Sequence, residues 1–251
     1  EQGSRFGFCM ENSELAHSIK LLNKCHNIYI NGLHLHVSTS TRRVEIYEWL
    51  SGLFAQIVKK YHLNRIEYLD IGGGFFGGMP NKPGWKDYIS AIAEVLKANG
   101  FSSNKLTLIL EPGVSLLAGA FSYIASVVDV KITNRSRFIV IDGSRIHIDP
   151  FFHKTSYFYY HETESHKPAL EKQIVVGFTC LEYDNIMVLE NHAEVSIGDH
   201  FIFNKIGAYS ISLSPLFISY YPAVYLRETD GSLICVREKW TAKEFVQKSK
   251  I

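Results

Sequence analysis

The sequence predicts an α/β domain at residues 1–120, followed by a mostly antiparallel β domain at residues 121–251. Two observations predict this division. Strand-like and helix-like hydrophobic periods alternate through the first part, which is the pattern of a parallel sheet flanked by helices. From Phe121 the helical period disappears, and short apolar runs of β type follow one another between turn residues.

The first predicted unit begins with a short apolar strand at residues 4–8, "SRFGF", and continues into a helix. Asn12 is the predicted N-cap, because its side chain can accept a hydrogen bond from a free amide of the first turn. Leu15, Ile19 and Leu22 then recur at helical spacing. These three residues are the predicted inward face of the first helix.

Two further units and a fourth strand follow. Residues 27–37 alternate like a strand, and residues 65–71 form an apolar strand that runs into a cluster of glycines. Residues 105–113 are nearly all apolar, as in a strand with both faces covered. Hydroxyl side chains at residues 38–41 are the predicted caps of the second helix, and Gly100 is the predicted C′ residue of the third. The helix residues predicted to face the core are Tyr47, Leu50, Phe54, Ile57, Tyr88, Ile92, Val95 and Leu96.

The second domain is predicted from its β-type runs. An Asp-Gly pair at 230 and 231 favours a hairpin, and a short final helix is predicted from about Thr241. The predicted runs are residues 121–132, 137–143, 173–180, 193–203 and 223–238.

Composition argues against several functions. The formal net charge is +1 with both signs interspersed, so no nucleic acid and no membrane surface is predicted as a partner. No apolar run has the roughly twenty residues that a membrane helix needs. The cysteines at 9, 25, 180 and 235 have no zinc-like spacing, so no metal site is expected and a reducing cytoplasm is the predicted compartment.

The stretch "YLDIGGGFFGG" (68–78) places five glycines in seven positions behind a strand. A backbone without side chains can come close enough to hold a phosphate group with its N–H groups. The alternative is a flexible strand-to-helix turn. The spacing supports neither a dinucleotide-binding fold nor a P-loop.

The stretch "EPG" (111–113) places an acid at the end of a predicted buried strand. A carboxylate there needs a partner, and a protonated ring nitrogen is one candidate. A helix-capping or salt-bridged glutamate is the alternative.

Five motifs in a fixed order together resemble the fold-type III pyridoxal-phosphate decarboxylases, the diaminopimelate and ornithine decarboxylase family. The resemblance implies a (β/α)8 barrel that carries pyridoxal 5′-phosphate, a following β domain, and a homodimer with shared active sites. Residues 1–120 would then be the C-terminal half of the barrel. The motifs are "GLHLHVS" (32–38), "LDIGGGF" (69–75), "EPGVSLLAGAF" (111–121), "VVGFTCLEYDNIM" (175–187) and "IGAYSISLSPLF" (206–217).

The same resemblance implies roles for residues of the first domain. His36 would stack on the pyridoxal ring, although a lone histidine on an apolar strand is more often a core residue, the interpretation that we give His34. Residues 72–74, which are Gly72, Gly73 and Gly74, would hold the phosphate, with Thr39 near it. Glu111 would pair with the pyridine nitrogen.

Two candidate residues lie in the second domain. The resemblance implies that the Tyr209 hydroxyl reaches the phosphate, and the alternative is a half-buried strand tyrosine. It also implies that Cys180 enters the neighbouring subunit's site and returns a proton after CO₂ leaves. The alternative for Cys180 is a small buried hydrophobic residue, and Asp184 behind it favours the functional interpretation.

The chain departs from the family pattern at three places. Val114 replaces an arginine, Leu181 replaces an acid with Glu182 one position later, and Asp149 with Pro150 matches an arginine-proline pair. Neither the cations for a distal carboxylate nor the acid for a distal ammonium stands where the family has it. The sequence therefore predicts an unusual amino acid or amino-acid conjugate as substrate, such as a secondary-metabolite intermediate, in place of diaminopimelate or ornithine.

No lysine of this chain matches the family lysine that holds the cofactor on the first barrel strand. Two explanations stay open. The N-terminal half of the barrel is supplied as a partner, or the chain is a non-catalytic, dimerising paralogue. A racemase of the same cofactor class is a weaker alternative.

Overall fold

The computed structural model describes residues 4–38, 41–165 and 167–250. The chain divides after Leu116 into two compact units, unit 1 (Glu1–Leu116) and unit 2 (Leu117–Ile251). Within the described ranges, no helix has both the length and the apolar character to cross a membrane.

Unit 1 is built around a parallel sheet with the strand order β1-β2-β3. Each strand pairs in register with the next, so that Leu33 lies beside Leu69, and Leu69 beside Leu108. The elements in chain order are α1 (Glu14–Leu22), β1 (Gly32–His34), α2 (Val44–Lys60), β2 (Tyr68–Asp70), α3 (Trp85–Ala98), β3 (Thr107–Ile109) and α4 (Gly113–Leu117).

The two faces of this sheet differ. Leu33, Leu69 and Leu108 belong to the apolar core that the helices cover. The predicted inward residues of α2 and α3 lie in the same core except Val95, which is only half-buried and lies outside it. The other face carries exposed side chains, among them Tyr68 and Ile109. Parallel sheets normally have both faces covered. The second face of this sheet is left uncovered by the described residues.

The predicted first strand is wrong. Residues 4–8 form no strand, and the side chains of Phe6 and Phe8 are exposed. Gly7 has φ of 76°, outside the β region. A strand is stabilised by hydrogen bonds to a neighbour, and among the described residues β1 pairs only with β2. The short apolar run therefore had no partner to order it.

Helix ends agree with the sequence in part. Gly100 has φ of 87° after α3, as its predicted C′ position requires. The Asn12 carboxamide accepts a hydrogen bond from the Glu14 N–H, but Ser13 is the N-cap of α1. The predicted hydroxyl caps of α2 are wrong, because Arg43 is its N-cap and makes no side-chain cap.

Unit 2 contains a six-stranded sheet with the order β6-β9-β4-β5-β7-β8 and a separate hairpin of β10 and β11. The pairs are antiparallel except for β5 with β7. Two strands, β6 and β8, were not predicted. The elements are β4 (Ser122–Ile132), β5 (Arg137–Ile141), α5 (Arg145–Ile148), β6 (Phe158–Glu162), β7 (Ala169–Val176), β8 (Asn185–Ala193), β9 (His200–Asn204), α6 (Ser210–Leu213), β10 (Val224–Arg227), β11 (Leu233–Arg237) and α7 (Ala242–Val246).

The end of the chain follows the sequence prediction. Gly231 has φ of 88° in the turn between β10 and β11, which the Asp-Gly pair favours. Thr241 is the N-cap of α7, and its hydroxyl accepts a hydrogen bond from the Lys243 N–H. Glu244 completes a capping box.

A buried histidine lies in unit 2. The His147 side chain lies in the interior with its Nδ1 3.0 Å from the Tyr123 hydroxyl. Burial lowers the pKa of His147 from 6.5 to about 4, against the opposing effect of the Asp184 carboxylate. The folded protein therefore favours the neutral imidazole.

This burial predicts a pH-dependent stability. The unfolded chain binds a proton at His147 below about pH 6.5, whereas the folded chain does so only near pH 4, so the free energy of unfolding falls as pH decreases through this window. The expected loss between about pH 6.5 and 5 is about 2 kcal/mol, measured by urea unfolding. His147→Gln should remove this dependence, and His153→Gln, at an exposed histidine, should keep it. An unchanged pH slope in His147→Gln would contradict the assignment.

Candidate functional site

The carboxyl ends of the three parallel strands meet at one edge of the sheet in unit 1. Parallel pairing continues beyond the strands, because the Leu35 N–H donates to the Asp70 carbonyl at 2.8 Å. The Ile71 N–H donates to the Ile109 carbonyl, and the Glu111 N–H donates to the Gly72 carbonyl at 2.9 Å. Segments far apart in the sequence are thereby held side by side.

Glycine is required at Gly72 for two reasons. Its φ of 71° lies in the left-handed region, which side chains disfavour. A Cβ atom at this position would also overlap the imidazole of His36. At Gly73 a Cβ atom would overlap the carbonyl oxygen of Glu111. The glycines thus let the turn pack directly against both neighbouring strand ends.

This turn contains backbone N–H groups that lack hydrogen-bond acceptors. The Gly72 N–H donates to the Asp70 carboxylate at 2.9 Å. In the described part of the chain, the N–H groups of Gly73, Gly74 and Phe75 have no hydrogen-bond acceptor. Buried amides are nearly always paired, and Gly73 is buried. Successive unpaired N–H groups in a tight turn are the donor set that binds a phosphate.

Two buried tyrosines support the turn from behind. The Tyr47 hydroxyl donates to the Gly73 carbonyl at 2.9 Å, and burial raises the pKa of Tyr47 to about 12, so this phenol remains a donor. The Tyr88 hydroxyl donates to the Arg42 carbonyl at 2.7 Å. Both tyrosines were predicted only as core residues. The sequence feature that could have indicated this supporting role is a tyrosine at a buried helix position, since its hydroxyl needs a hydrogen-bond partner.

The acids of this edge lie beside a histidine. The Glu111 carboxylate is 3.7 Å from His34 Nε2, and both side chains are about half exposed. The interpretation of His34 as a core residue is therefore wrong, because it lies on the uncovered face beside a carboxylate. His36 is exposed on the same face, with its ring 6.4 Å from that of His34. Asp70 was not predicted as a site residue.

Ligand atoms of His34, Asp70 and Glu111 lie within 4.8 Å of one another. Such a set can attract a cation, either a metal ion or a protonated ring nitrogen. The adjacent unpaired amides of Gly73 and Gly74 are donors of the kind that suit an anion. A ligand with one cationic and one anionic end matches this edge of the sheet.

The structure brings together most of the predicted residues of the first domain. Gly72 packs against His36 and accepts a hydrogen bond from the Glu111 N–H, Gly73 packs against the Glu111 carbonyl, and Gly74 completes the turn. Thr39 lies outside the described residues. Cys180 and Tyr209 belong to unit 2.

In unit 2, Cys180 is exposed on a loop that a buried carboxylate holds. Asp184 accepts hydrogen bonds from the N–H and hydroxyl of Thr179, from the Ser144 hydroxyl at 3.0 Å and from the Arg145 N–H at 2.7 Å. Cys180 is thus not the small buried hydrophobic residue that was the alternative. Asp184 fixes the loop on which its thiol is displayed.

Tyr209 precedes α6 in the left-handed region, with φ of 65°. Its ring is 53% exposed and contacts Phe151 edge-on, at 5.7 Å between centroids. It is not a strand residue, so that alternative is wrong as well. Its exposure leaves its hydroxyl accessible.

Asp149 has its carboxylate fully engaged inside unit 2. It accepts hydrogen bonds from Arg145 Nε and Nη2 at 3.1 and 2.9 Å, from the Lys154 N–H at 2.9 Å and from the Tyr157 hydroxyl. Only 4% of this residue is exposed. Asp149 is therefore a structural acid that offers a substrate no charged group.

Residues 1–118 match the sequence model of a family described as "Pyridoxal-dependent decarboxylase, pyridoxal binding domain". The chain is 27% identical to a probable chloroplastic diaminopimelate decarboxylase of Oryza sativa subsp. japonica, over 93% of this chain and 48% of that protein. It is 26% identical to the diaminopimelate decarboxylase of Aquifex aeolicus, over 95% and 56% of the two chains. The chain spans about half the length of the curated relatives it matches.

Among solved structures, diaminopimelate decarboxylase from M. jannaschii has a TM-score of 0.82 and 22% identity, over 100% of this chain and 58% of that chain. The two chains share a fold, and the parallel sheet of unit 1 is consistent with a partial barrel of that fold. These matches confirm the predicted resemblance to the fold-type III pyridoxal-phosphate decarboxylases. They also confirm pyridoxal 5′-phosphate as the cofactor, which the donors of the glycine turn fit.

The packing of the turn predicts a contrast between two glycines. Gly72→Ala should lower the free energy of unfolding by at least about 2 kcal/mol. The free-energy cost of a left-handed φ for alanine and the cost of the steric overlap with His36 both contribute to this loss. Gly52→Ala, inside α2 with open space at its Cβ, should raise stability by about 0.5–1 kcal/mol. Urea unfolding measures both changes, and equal effects of the two substitutions would contradict the proposed packing.

Proposed function

We propose that this chain, a relative of the fold-type III pyridoxal-phosphate decarboxylases, forms the phosphate-binding part and the β domain of an enzyme that removes the α-carboxylate of an amino acid. One observation carries the proposal. The unpaired amides of Gly73 and Gly74 and the acid Glu111 lie at adjacent strand ends, and we propose that one ligand reaches both.

Each candidate site residue of the first domain has a proposed task. The N–H groups of Gly73 and Gly74 donate to the phosphate, and Thr39 contributes to the same site. His36 lies against the ring face. Glu111 holds a proton on the pyridine nitrogen. When bound, pyridoxal phosphate supplies an electron-accepting ring for the electron pair that remains after CO₂ leaves.

Unit 2 supplies the remaining proposed groups. The Tyr209 hydroxyl donates to the phosphate, and the Cys180 thiol returns a proton to the α-carbon of the substrate. The exposure of both side chains supports these roles. We propose that they act in a homodimer with shared active sites. Four exposed free thiols suit a reducing compartment, the cytoplasm.

The uncovered face of the sheet in unit 1 supports a further part of the proposal. His34, Tyr68 and Ile109 stand exposed on a face that parallel sheets normally bury. We propose that an N-terminal half of the barrel covers this face and carries the lysine to which the cofactor attaches. Activity then depends on that half.

The proposed substrate is an unusual amino acid or amino-acid conjugate. Relatives are named as diaminopimelate decarboxylases, and such a substrate carries a distal ammonium and a distal carboxylate. In this chain Val114 has no charge, and the Asp149 carboxylate is occupied by Arg145. Neither position offers a charge to a distal group, so a substrate with an uncharged distal part fits best.

A first experiment tests the chemistry. Full-length protein purified with pyridoxal phosphate should release CO₂ from an amino acid, and Glu111→Gln should lower kcat roughly a hundredfold or more, because an electrostatic contact made in the transition state is lost. Glu94→Gln, on the exposed face of α3, should keep full activity. Bound cofactor without CO₂ release from any amino acid would contradict the proposal and favour the non-catalytic paralogue.

A second experiment tests the substrate class. Amino acids with uncharged or acylated distal groups should give at least about tenfold higher kcat/KM than meso-diaminopimelate or ornithine, since the distal charges of the latter lose their solvation without a partner. CO₂ release across a matched panel of these compounds measures the ratio. A preference for meso-diaminopimelate or ornithine would contradict this part of the proposal alone.

A further inference from the structure

The guanidinium of Arg42 lies beside the glycine turn. Its Nη1 is 3.5 Å from the Phe75 carbonyl, and its Cζ is 5.4 Å from the centroid of the Phe76 ring. Phe75 directly follows Gly74. No other hydrogen bond of this guanidinium is found within residues 4–38, 41–165 and 167–250, and an arginine has five N–H donors. Most of its donors therefore remain available near the turn.

The electrostatics of this edge call for such a cation. A phosphate in the turn is a dianion, and the carboxylates of Asp70 and Glu111 lie at the same strand ends. Backbone amides offer only partial charges, whereas like charges within a few ångströms repel strongly in a partly buried site. A phosphate with these neighbours is bound weakly unless a full positive charge balances it.

The backbone of Arg42 is held in place. Its φ is 50°, in the left-handed region, and its carbonyl accepts the hydrogen bond of the buried Tyr88 hydroxyl. Tyr88 also accepts from the Phe76 N–H, at 3.4 Å. The Tyr88 hydroxyl thereby links the backbone of Arg42 to that of Phe76, which follows the glycine turn. Burial raises the pKa of Tyr47 and of Tyr88, and the positive charge of Arg42 opposes both shifts, which agrees with its position close to these hydroxyls.

A second cation lies nearby but is less suited to this role. Lys82 Nζ is 5.3 Å from the Phe76 centroid, on an exposed loop where water screens its charge. Arg42 is half-buried, and its planar fork can donate two parallel hydrogen bonds to one phosphate. These differences favour Arg42.

We propose that Arg42 is the cationic anchor of the phosphate bound by the glycine turn. This inference rests on the proposed function, since it requires a phosphorylated cofactor at residues 72–74. Arg42 donates through its free N–H groups to phosphate oxygens while the Phe75 carbonyl and the Phe76 ring hold its position. It is a binding residue and takes no part in proton transfer.

The test compares pyridoxal phosphate with pyridoxal, which lacks the phosphate, as ligands of the full-length protein. Fluorescence titration gives the Kd of each. Arg42→Gln should weaken pyridoxal phosphate binding about tenfold to a hundredfold, the usual effect of losing charge-assisted hydrogen bonds, and should leave pyridoxal binding unchanged. Arg42→Lys, which keeps the charge but not the fork, should lose less.

Arg43→Gln is the matched control, because Arg43 is the next residue and pairs with Glu45 on the surface. It should change neither Kd. The inference is overturned if Arg42→Gln binds pyridoxal phosphate as tightly as Arg43→Gln does, or if it loses pyridoxal to the same extent. Equal affinity of the unmodified protein for both ligands would instead contradict the phosphate site itself. Arg42→Lys should keep the thermal unfolding midpoint of the unmodified protein and bind pyridoxal phosphate with an affinity between those of the unmodified protein and Arg42→Gln. This result would show that the weaker binding comes from a lost contact and not from a folding defect.

Discussion

The close approach of three backbone segments at the carboxyl edge of one parallel sheet is the constraint on which the candidate site depends. The approach is possible because residues 72 and 73 carry no side chain, so that the His36 ring and the Glu111 carbonyl occupy the space where Cβ atoms would stand. The same packing leaves the amides of Gly73 and Gly74 without acceptors in the described chain. The close packing and the unpaired amides are therefore both consequences of the glycines at these positions.

Acidic and basic side chains lie at different places along this edge of the sheet, an arrangement that the net charge of the chain does not reveal. The chain has a net charge of +1, yet Glu111 and Asp70 converge on one side of the turn while Arg42 lies beside its other end. Separated opposite charges suit a ligand that is itself dipolar, with an anionic group and a cationic ring. Buried Tyr47 and Tyr88 connect the two sides through hydrogen bonds to main-chain carbonyls.

Unit 2 uses its buried acids for structure. Asp184 holds the loop that displays Cys180, and Asp149 is bound by Arg145 in the interior. A buried carboxylate with all its hydrogen bonds made holds its neighbours in place and offers nothing to a ligand. Motif positions that look chemically active can thus be structural, whereas Cys180 and Tyr209 are exposed.

The sequence by itself determined the alternation of strands and helices, the core faces of α2 and α3, and the glycine turn, because these depend on local periodicity and on backbone freedom. It also fixed the hairpin turn at Gly231. It could not determine that residues 4–8 lack a strand partner, that His34 faces Glu111, or that Arg42 lies beside Phe75. Only the tertiary structure decided these, because each depends on hydrogen bonds and packing between segments that are distant in the chain, and local pattern carries no information about such neighbours.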